Sequence, residues 1–182
     1  WKNCWDSWAQ PYLNKAMEMG LITEEDTDFR YNGLPCTRGN MAKIATRAFE
    51  YLKEEDIADT STYATKLKDY SDIPDKFKKY VLQAYGKGII SGYEDGTFKP
   101  NNSITREEAS MLLYKTAQYM GYNDFYEDYK LSDYKYADDE EIGEWAKEAV
   151  YQMNKAEIMT GMGDDMFSPK SNYTNEQSIS TI

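Results

Sequence analysis

Residues 88–108 read GIISGYEDGTFKPNNSITREE, and this stretch decides how the chain is organised. Its glycines and its proline break helices, so they predict a loop that ends where Thr105 opens a new helix. Thr105 and Glu108 have the spacing of a capping box, in which each side chain accepts a hydrogen bond from the other residue's backbone N–H. Arg106 then lies in the first helical turn, where the helix dipole repels cations. Because the same Thr-Arg pair recurs at residues 37–38, a role beyond helix formation is expected for these arginines.

The chain carries three copies of this unit. Their threonines recur at intervals of 68 and 69 residues. The 17 positions before each threonine align across the three copies without a gap. These threonines are the predicted helix caps Thr37, Thr105 and Thr174. Before each loop, apolar residues recur at i, i+3, i+4 and i+7, which is typical of one face of an amphipathic helix. The apolar positions are Ala9, Tyr12, Leu13 and Ala16, then Phe77, Tyr80, Val81 and Ala84, then Ala146, Ala149, Val150 and Met153.

A second amphipathic helix is predicted after each threonine. Its apolar stripe is Met41, Ile44, Ala45, Ala48, Phe49 and Leu52 in the first copy, and Ala109, Leu112, Leu113, Thr116 and Met120 in the second. The third helix is expected to be cut short at Ile182. Because a pair of helices has too small a core to fold alone, the three copies must share one core. The sequence therefore predicts an all-α protein.

Composition narrows the classes of function. The net charge of −11 disfavours a nucleic-acid or anionic-membrane partner, and no apolar run is long enough for a membrane span. The absence of histidine removes the commonest general base and metal ligand, so no enzyme, metal or cofactor is expected. Seventeen tyrosines and four tryptophans suit either sugar stacking or packing. Cys4 and Cys36 could form one disulfide or remain two buried thiols.

The second copy resembles the S-layer homology (SLH) repeat, whose pattern is G-[IL]-[IL]-x-G-Y-x-D-G-T-F-x-P-x-x-x-[IL]-T-R-x-E after an Asp-Ile or Asp-Val start and a helix. The matching residues are Asp72, Gly88, Gly92, Tyr93, Asp95, Gly96, Thr97, Phe98, Pro100, Ile104, Thr105, Arg106 and Glu108. On this resemblance the repeats cover 1–53, 71–121 and 136–182, with linkers at 54–70 and 122–135. The linkers are expected to be partly helical.

The resemblance implies a pseudo-threefold arrangement, with a central three-helix bundle and three helix-loop prongs. It also implies non-covalent anchoring of a secreted protein to the cell wall or S-layer of a Gram-positive-type bacterium. The expected ligand is a secondary cell-wall polysaccharide, often pyruvylated, bound in grooves between repeats. The implied binding residues are Arg106, Arg38, Gly92, Tyr93, Gly161, Asp72, Trp8 and Trp145. Arg106→Ala is then expected to abolish polysaccharide binding while the fold stays intact.

Alternatives remain for each of these residues. An arginine at a helix start can clamp a ligand carboxylate, or it can pair with an acidic residue of the adjacent repeat. The aromatic residues can stack on sugars or pack, and Gly92 and Gly161 are expected to supply turns with positive φ. The acidic turn at 94–96 lacks the spacing of an EF-hand loop, since Arg106 falls on the position that requires glutamate.

The copies are uneven, which leaves a second function open. The first copy lacks the glycine-rich loop pattern, Lys76 replaces the tryptophan of the second copy, and Asn175 replaces the arginine of the third. Ligand binding is therefore least expected at the groove that depends on Asn175. The alternative function is a degenerate triplet that mediates protein–protein packing in a surface array, including self-association through the parent protein.

Overall fold

The computed structural model describes residues 6–29, 33–53, 60–122 and 134–182. Within these ranges the regular elements are helices and no sheet is formed, which confirms the all-α prediction. The α-helices are α1 (Gln10–Glu18), α2 (Arg38–Lys53), α3 (Ser61–Ala64), α4 (Asp75–Gly86), α5 (Arg106–Tyr119), α6 (Glu144–Lys155) and α7 (Asn175–Ser180). Short 3₁₀ turns are formed by Thr27–Phe29, Tyr70–Asp72 and Asp139–Glu141.

The helices pack in a closed cyclic order. The helix that follows each threonine packs on the first helix of the next copy, so α2 lies against α4 and α5 lies against α6. The third such helix, α7, packs on α1 and thereby closes the ring. The helices that follow the first two threonines, α2 and α5, also contact each other.

Three backbone hydrogen bonds join the copies around the centre. The N–H of Cys36 donates to Tyr173 O at 2.7 Å, that of Tyr173 to Ile104 O at 2.9 Å, and that of Ile104 to Cys36 O at 2.9 Å. Each of these residues directly precedes the threonine of its copy. A cyclic set of this kind satisfies backbone groups that burial would otherwise leave unpaired. It also ties the three helix starts together as equivalent positions.

The helix caps form as the sequence predicts. Thr105 with Glu108 and Thr174 with Gln177 make complete capping boxes. In the first copy the hydroxyl of Thr37 accepts the backbone N–H of Asn40 at 3.1 Å, a one-sided version of the same cap. These bonds satisfy amide groups that lack partners inside the helix. They therefore fix where α2, α5 and α7 begin.

Most residues of the predicted stripes are buried in the core. In the first helices, Ala9, Leu13, Phe77, Val81, Ala146 and Val150 are among the buried residues. Tyr12 and Leu52, in contrast, are exposed although they fall on the predicted apolar faces. In the predicted linker 54–70, α3 packs against α4, while residues 54–59 and 123–133 lie outside the described part. Cys36 is a buried free thiol, and its suggested partner Cys4 also lies outside that part.

Candidate functional site

Arg38 reaches from its own helix into the loop of the second copy. Its Nε donates to Phe98 O at 2.8 Å and its Nη2 to Ser91 O at 3.3 Å. Its Nη1 forms an ion pair with Glu108 Oε1 at 3.1 Å. Arg38 thus forms a salt bridge to the adjacent repeat, which was the alternative to ligand binding for this residue. Because the side chain points away from the start of α2 and onto acceptors of another copy, the unfavourable helix dipole is offset.

Tyr93 completes this cluster. Its hydroxyl donates to Glu108 Oε1 at 3.0 Å, and the guanidinium of Arg38 lies over its ring, 4.3 Å from the centroid. Lys99 Nζ lies 4.6 Å from the same centroid. Burial raises the pKa of the Tyr93 phenol, so it stays a neutral donor at physiological pH. Packing was the alternative to sugar stacking for Tyr93, and the ring does pack, against the cations of Arg38 and Lys99.

A cavity of about 870 Å³ opens beside this cluster. Its lining comes from the second loop, from the outer face of α5 and from the start of α6. Four residues singled out from the sequence share it, namely Arg38, Gly92, Tyr93 and Trp145. Trp145 is 54% exposed, so one side of its indole is available to a ligand. Ligand sites in proteins have volumes of roughly 300–1,000 Å³, so this cavity is large enough for a small-molecule ligand.

Arg106 makes the equivalent reach into the loop of the third copy, but its partners differ. Its Nε donates to Phe167 O at 2.8 Å and its Nη2 to Thr160 O at 2.7 Å. The residue that corresponds to Glu108 is Gln177, and no ion pair to Arg106 is present in the part of the chain that the structure describes. Arg106 is only 2% exposed, and burial lowers the pKa of its guanidinium. Its visible role is to hold the third loop.

Gly92 and Gly161 allow the backbone of their own loop to approach closely. The expectation that they supply turns with positive φ is wrong. Neither has φ in the left-handed region. A Cβ at position 92 would lie 3.0 Å from Thr97 O, and one at position 161 would lie 2.8 Å from Met166 O. These distances leave no room for a side chain, because the turn folds its own backbone against the glycine. Glycine is required here to keep the loop narrow.

The remaining predicted residues lie apart from the cavity. Trp8 is half-exposed just before α1, and Asp72 is an exposed residue of a 3₁₀ turn. Asn175 lines a separate cleft of about 530 Å³, where its Nδ2 donates to Asp28 O at 3.0 Å. Lys76 lines the same cleft and pairs with the carboxylate of Asp28.

Two structural residues were missed by the sequence analysis. Asp69 accepts the backbone N–H groups of Phe98 and Lys99, both at 2.8 Å. Asp138 does the same for residues 167 and 168 of the third copy, at 2.8 and 2.7 Å. Asp69 lies three residues before Asp72, and Asp138 lies three residues before Glu141. This repeated spacing of carboxylates is the sequence signal that could have identified them. Asp69 thereby holds the loop that lines the cavity, and Asp138 holds the equivalent loop of the third copy.

Other site types find no support in the described ranges. No helix there is long and apolar enough to cross a membrane. No group of histidine, cysteine or carboxylate side chains there could hold a metal ion. Asp95 Oδ1 accepts the backbone N–H of Thr97 at 2.9 Å, so the acidic turn uses its carboxylate for its own conformation.

Helix pairs repeated around a centre, with a cavity between neighbouring copies, define a repeat-built module. Residues 66–110 and 135–174, just under half of the chain, match the family model of the S-layer homology domain. The match therefore covers the second and third copies. It supports repeats of this kind in a protein of the cell surface.

Curated relatives extend the similarity to nearly the full chain. An endoglucanase of Bacillus sp. (strain KSM-635) is 28% identical over 182 residues, which is 97% of this chain and 17% of that protein. An amylopullulanase of Thermoanaerobacterium thermosulfurigenes is 27% identical over 179 residues, 97% of this chain and 9% of that protein. A cellulosome-anchoring protein of Acetivibrio thermocellus is 30% identical over 106 residues, 57% of this chain and 22% of that protein. The chain thus spans a small part of each relative.

Proposed function

We propose that this chain is a non-catalytic anchoring module that holds a parent protein at the bacterial cell surface by binding cell-wall polysaccharide. The SLH matches and the anchoring role in the name of one relative support the surface location. The two relatives with enzyme names share only 17% and 9% of their length with this chain, which suits a module separate from their catalytic parts.

One observation carries the carbohydrate proposal. The cavity beside α5 gathers Arg38, Gly92, Tyr93 and the half-exposed indole of Trp145. An aromatic ring next to hydrogen-bonding groups is the combination that sugars require, since their C–H faces stack and their hydroxyls donate or accept. Arg38 still has N–H groups beyond its three bonds to the protein, because a guanidinium carries five. We infer that a saccharide stacks on Trp145 and is fixed by this polar wall.

The first copy is proposed to be a third, divergent SLH repeat. Residues 1–53 are not matched by the family model. Support comes from the cyclic hydrogen bonds, in which Cys36 takes the same part as Ile104 and Tyr173. The backbone N–H of Arg38 likewise donates to Asn102 O at 2.9 Å, and that of Arg106 to Ser171 O at 3.0 Å. A unit that joins the ring by the same bonds performs the same structural role.

Cosedimentation with purified cell-wall polysaccharide tests the proposed function. Trp145→Ala is expected to weaken binding roughly tenfold, because the stacking surface is lost. Tyr51→Ala is the matched control, since Tyr51 is also 54% exposed but lies outside the cavity lining. Trp145 is a cleaner choice than Arg106, whose removal would leave buried carbonyl groups unpaired.

Two outcomes would overturn the proposal. If wild-type protein does not pellet with the polysaccharide, the binding function is wrong. If Trp145→Ala pellets as well as Tyr51→Ala, the cavity is not the binding place. The wild-type protein could instead self-associate, as measured by sedimentation equilibrium, and not bind the polysaccharide. That result would favour the alternative of protein–protein packing in a surface array.

A further inference from the structure

The cleft at the start of α7 is separate from the cavity beside α5 and has a different chemistry. Its volume is about 530 Å³, and its described lining comes from the first loop, the first turn of α4 and the start of α7. That lining carries one charged pair, Asp28 with Lys76. Its other polar groups are two threonine hydroxyls and the amides of Asn40, Asn101 and Asn175. The cleft therefore offers hydrogen-bonding groups without a net charge.

Asn175 brings an unpaired acceptor to this cleft. Its Nδ2 donates to Asp28 O at 3.0 Å, which assigns the two ends of the amide, because a carbonyl oxygen can only accept. The residue is 1% exposed, and its Oδ1 accepts no hydrogen bond in the described part of the chain. A buried acceptor without a donor destabilises a protein. The oxygen therefore favours a donor that enters the cleft.

The equivalent position of the other two copies holds an arginine. Arg38 and Arg106 each donate to a backbone carbonyl in the loop of the next copy. Asn175 keeps this structural bond through Asp28 O, since Asp28 belongs to the first loop. A guanidinium only donates, whereas an amide also accepts. The replacement therefore changes the group that this position can recognise from an acceptor or anion to a donor.

An uncharged sugar unit matches this lining. Its hydroxyl groups donate as well as accept, so one of them can pair with Asn175 Oδ1. Leu34 is 46% exposed and lies beside Pro35, which gives the C–H groups of a sugar an apolar wall. A carboxylate suits the cleft less well. It has no proton to donate to the amide oxygen, and the lysine of the described lining is already paired with Asp28.

We propose that the cleft at Asn175 is a second saccharide subsite, which binds an uncharged sugar unit through a donor to Asn175 Oδ1 and through the exposed amide of Asn101. This inference rests on the proposed function, because the ligand is another unit of the same polysaccharide. Loss of the arginine then changes the selectivity of this groove and does not abolish binding there. Two subsites on one polymer strengthen attachment, since the second contact forms at a high local concentration.

Cosedimentation with two forms of the purified cell-wall polysaccharide tests the subsite. One form is used as isolated, and in the other form carbodiimide activation and borohydride reduction have turned the carboxylates into alcohols. Asn101→Ala is expected to bind the reduced form about fivefold more weakly than wild type, which is the loss of one neutral hydrogen bond. Asn102→Ala is the matched control and should bind like wild type, because Asn102 is an exposed neighbouring asparagine outside the described lining.

Nuclear magnetic resonance observes Asn175 without replacing it, since Asn175→Ala would also remove the bond to Asp28 O and loosen the first loop. Oligosaccharides cut from the reduced polysaccharide should shift the side-chain amide signals of Asn175 and Asn101. The signal of Asn102 should stay in place. Thermal unfolding checks that each variant is folded.

The inference is wrong if Asn101→Ala and Asn102→Ala bind the reduced form alike, or if the side-chain signal of Asn175 does not move. It is also wrong if wild type binds the untreated form alone. Failure of the proposed function looks different, since wild type would then bind neither form, or Trp145→Ala would have no effect.

Discussion

Replacement of Asp26 by asparagine should destabilise the protein by about 3 kcal/mol. Asp26 is 4% exposed and accepts the ammonium of Lys43, Arg47 Nη1 at 2.6 Å and the backbone N–H of Thr23 at 2.8 Å. Asparagine keeps the shape but not the charge, so Lys43, itself 8% exposed, loses its counterion. Breaking a buried pair costs roughly 3–5 kcal/mol, and the lower end applies because Arg47 still reaches solvent.

Urea denaturation at pH 7 and thermal unfolding measure this effect. For a chain of this size, 1 kcal/mol corresponds to roughly 2–4 °C, so the melting temperature should fall by about 6–12 °C. The double variant Asp26→Asn/Lys43→Met should recover most of the loss. It removes the isolated charge and installs the residue that the second copy has at position 111. A single variant within 1 kcal/mol of wild type would refute the reasoning, as would a double variant no more stable than the single one.

The pH dependence gives an independent check. Burial alone would raise the pKa of Asp26, but hydrogen bonds from Lys43 and Arg47 outweigh it and lower the pKa from 3.8 to about 2. A depressed carboxyl pKa adds stability above the unfolded-state value, here about 2 kcal/mol at neutral pH. That contribution is lost as the pH falls from about 4 towards 2. The gap between wild type and Asp26→Asn should therefore narrow over this interval, and a constant gap would contradict the assignment.

Two further predictions concern buried groups. Arg106→Met should lower the free energy of unfolding by about 2 kcal/mol in urea titrations, because the carbonyl groups of Phe167 and Thr160 lose their donor; unchanged stability would show that the arginine does not hold the loop. Burial raises the pKa of the Cys36 thiol to about 12. In a Cys4→Ser variant, alkylation of Cys36 at pH 8 should therefore be at least about a hundredfold slower in the native protein than in urea. Equal rates would show that the thiol is accessible.

Local sequence signals were sufficient for the helices. Thr105 and Glu108 predict the start of α5 because a capping box joins residues only three positions apart. The apolar periodicity likewise predicted which faces of the helices are buried. The exceptions show the limit of such patterns: Tyr12 and Leu52 fit the periodicity but remain exposed, because none of the described elements covers them. Periodicity identifies a face, while burial depends on what packs against it.

The roles of the arginines depended on contacts between copies. Arg38 and Arg106 occur in the same local motif, yet Arg38 pairs with Glu108, while Arg106 binds the carbonyl groups of Phe167 and Thr160. The glycine at position 92 was expected to favour an unusual φ, but the structure shows a close backbone approach to Thr97. These differences arise from residues that a local pattern does not pair, some of them about seventy positions away in the chain.

The sequence by itself determined the repeat, the positions of the helices and their caps, because these follow from interactions within a few residues of one another. Only the tertiary structure decided that α2 packs on the next copy, that Asp26 neutralises Arg47, and that Arg38 pairs with Glu108. The physical reason is that a charge is neutralised by whichever group the fold brings within a few ångströms. Copies of one motif can therefore pair an arginine with a carboxylate in one place and with backbone carbonyl groups in another.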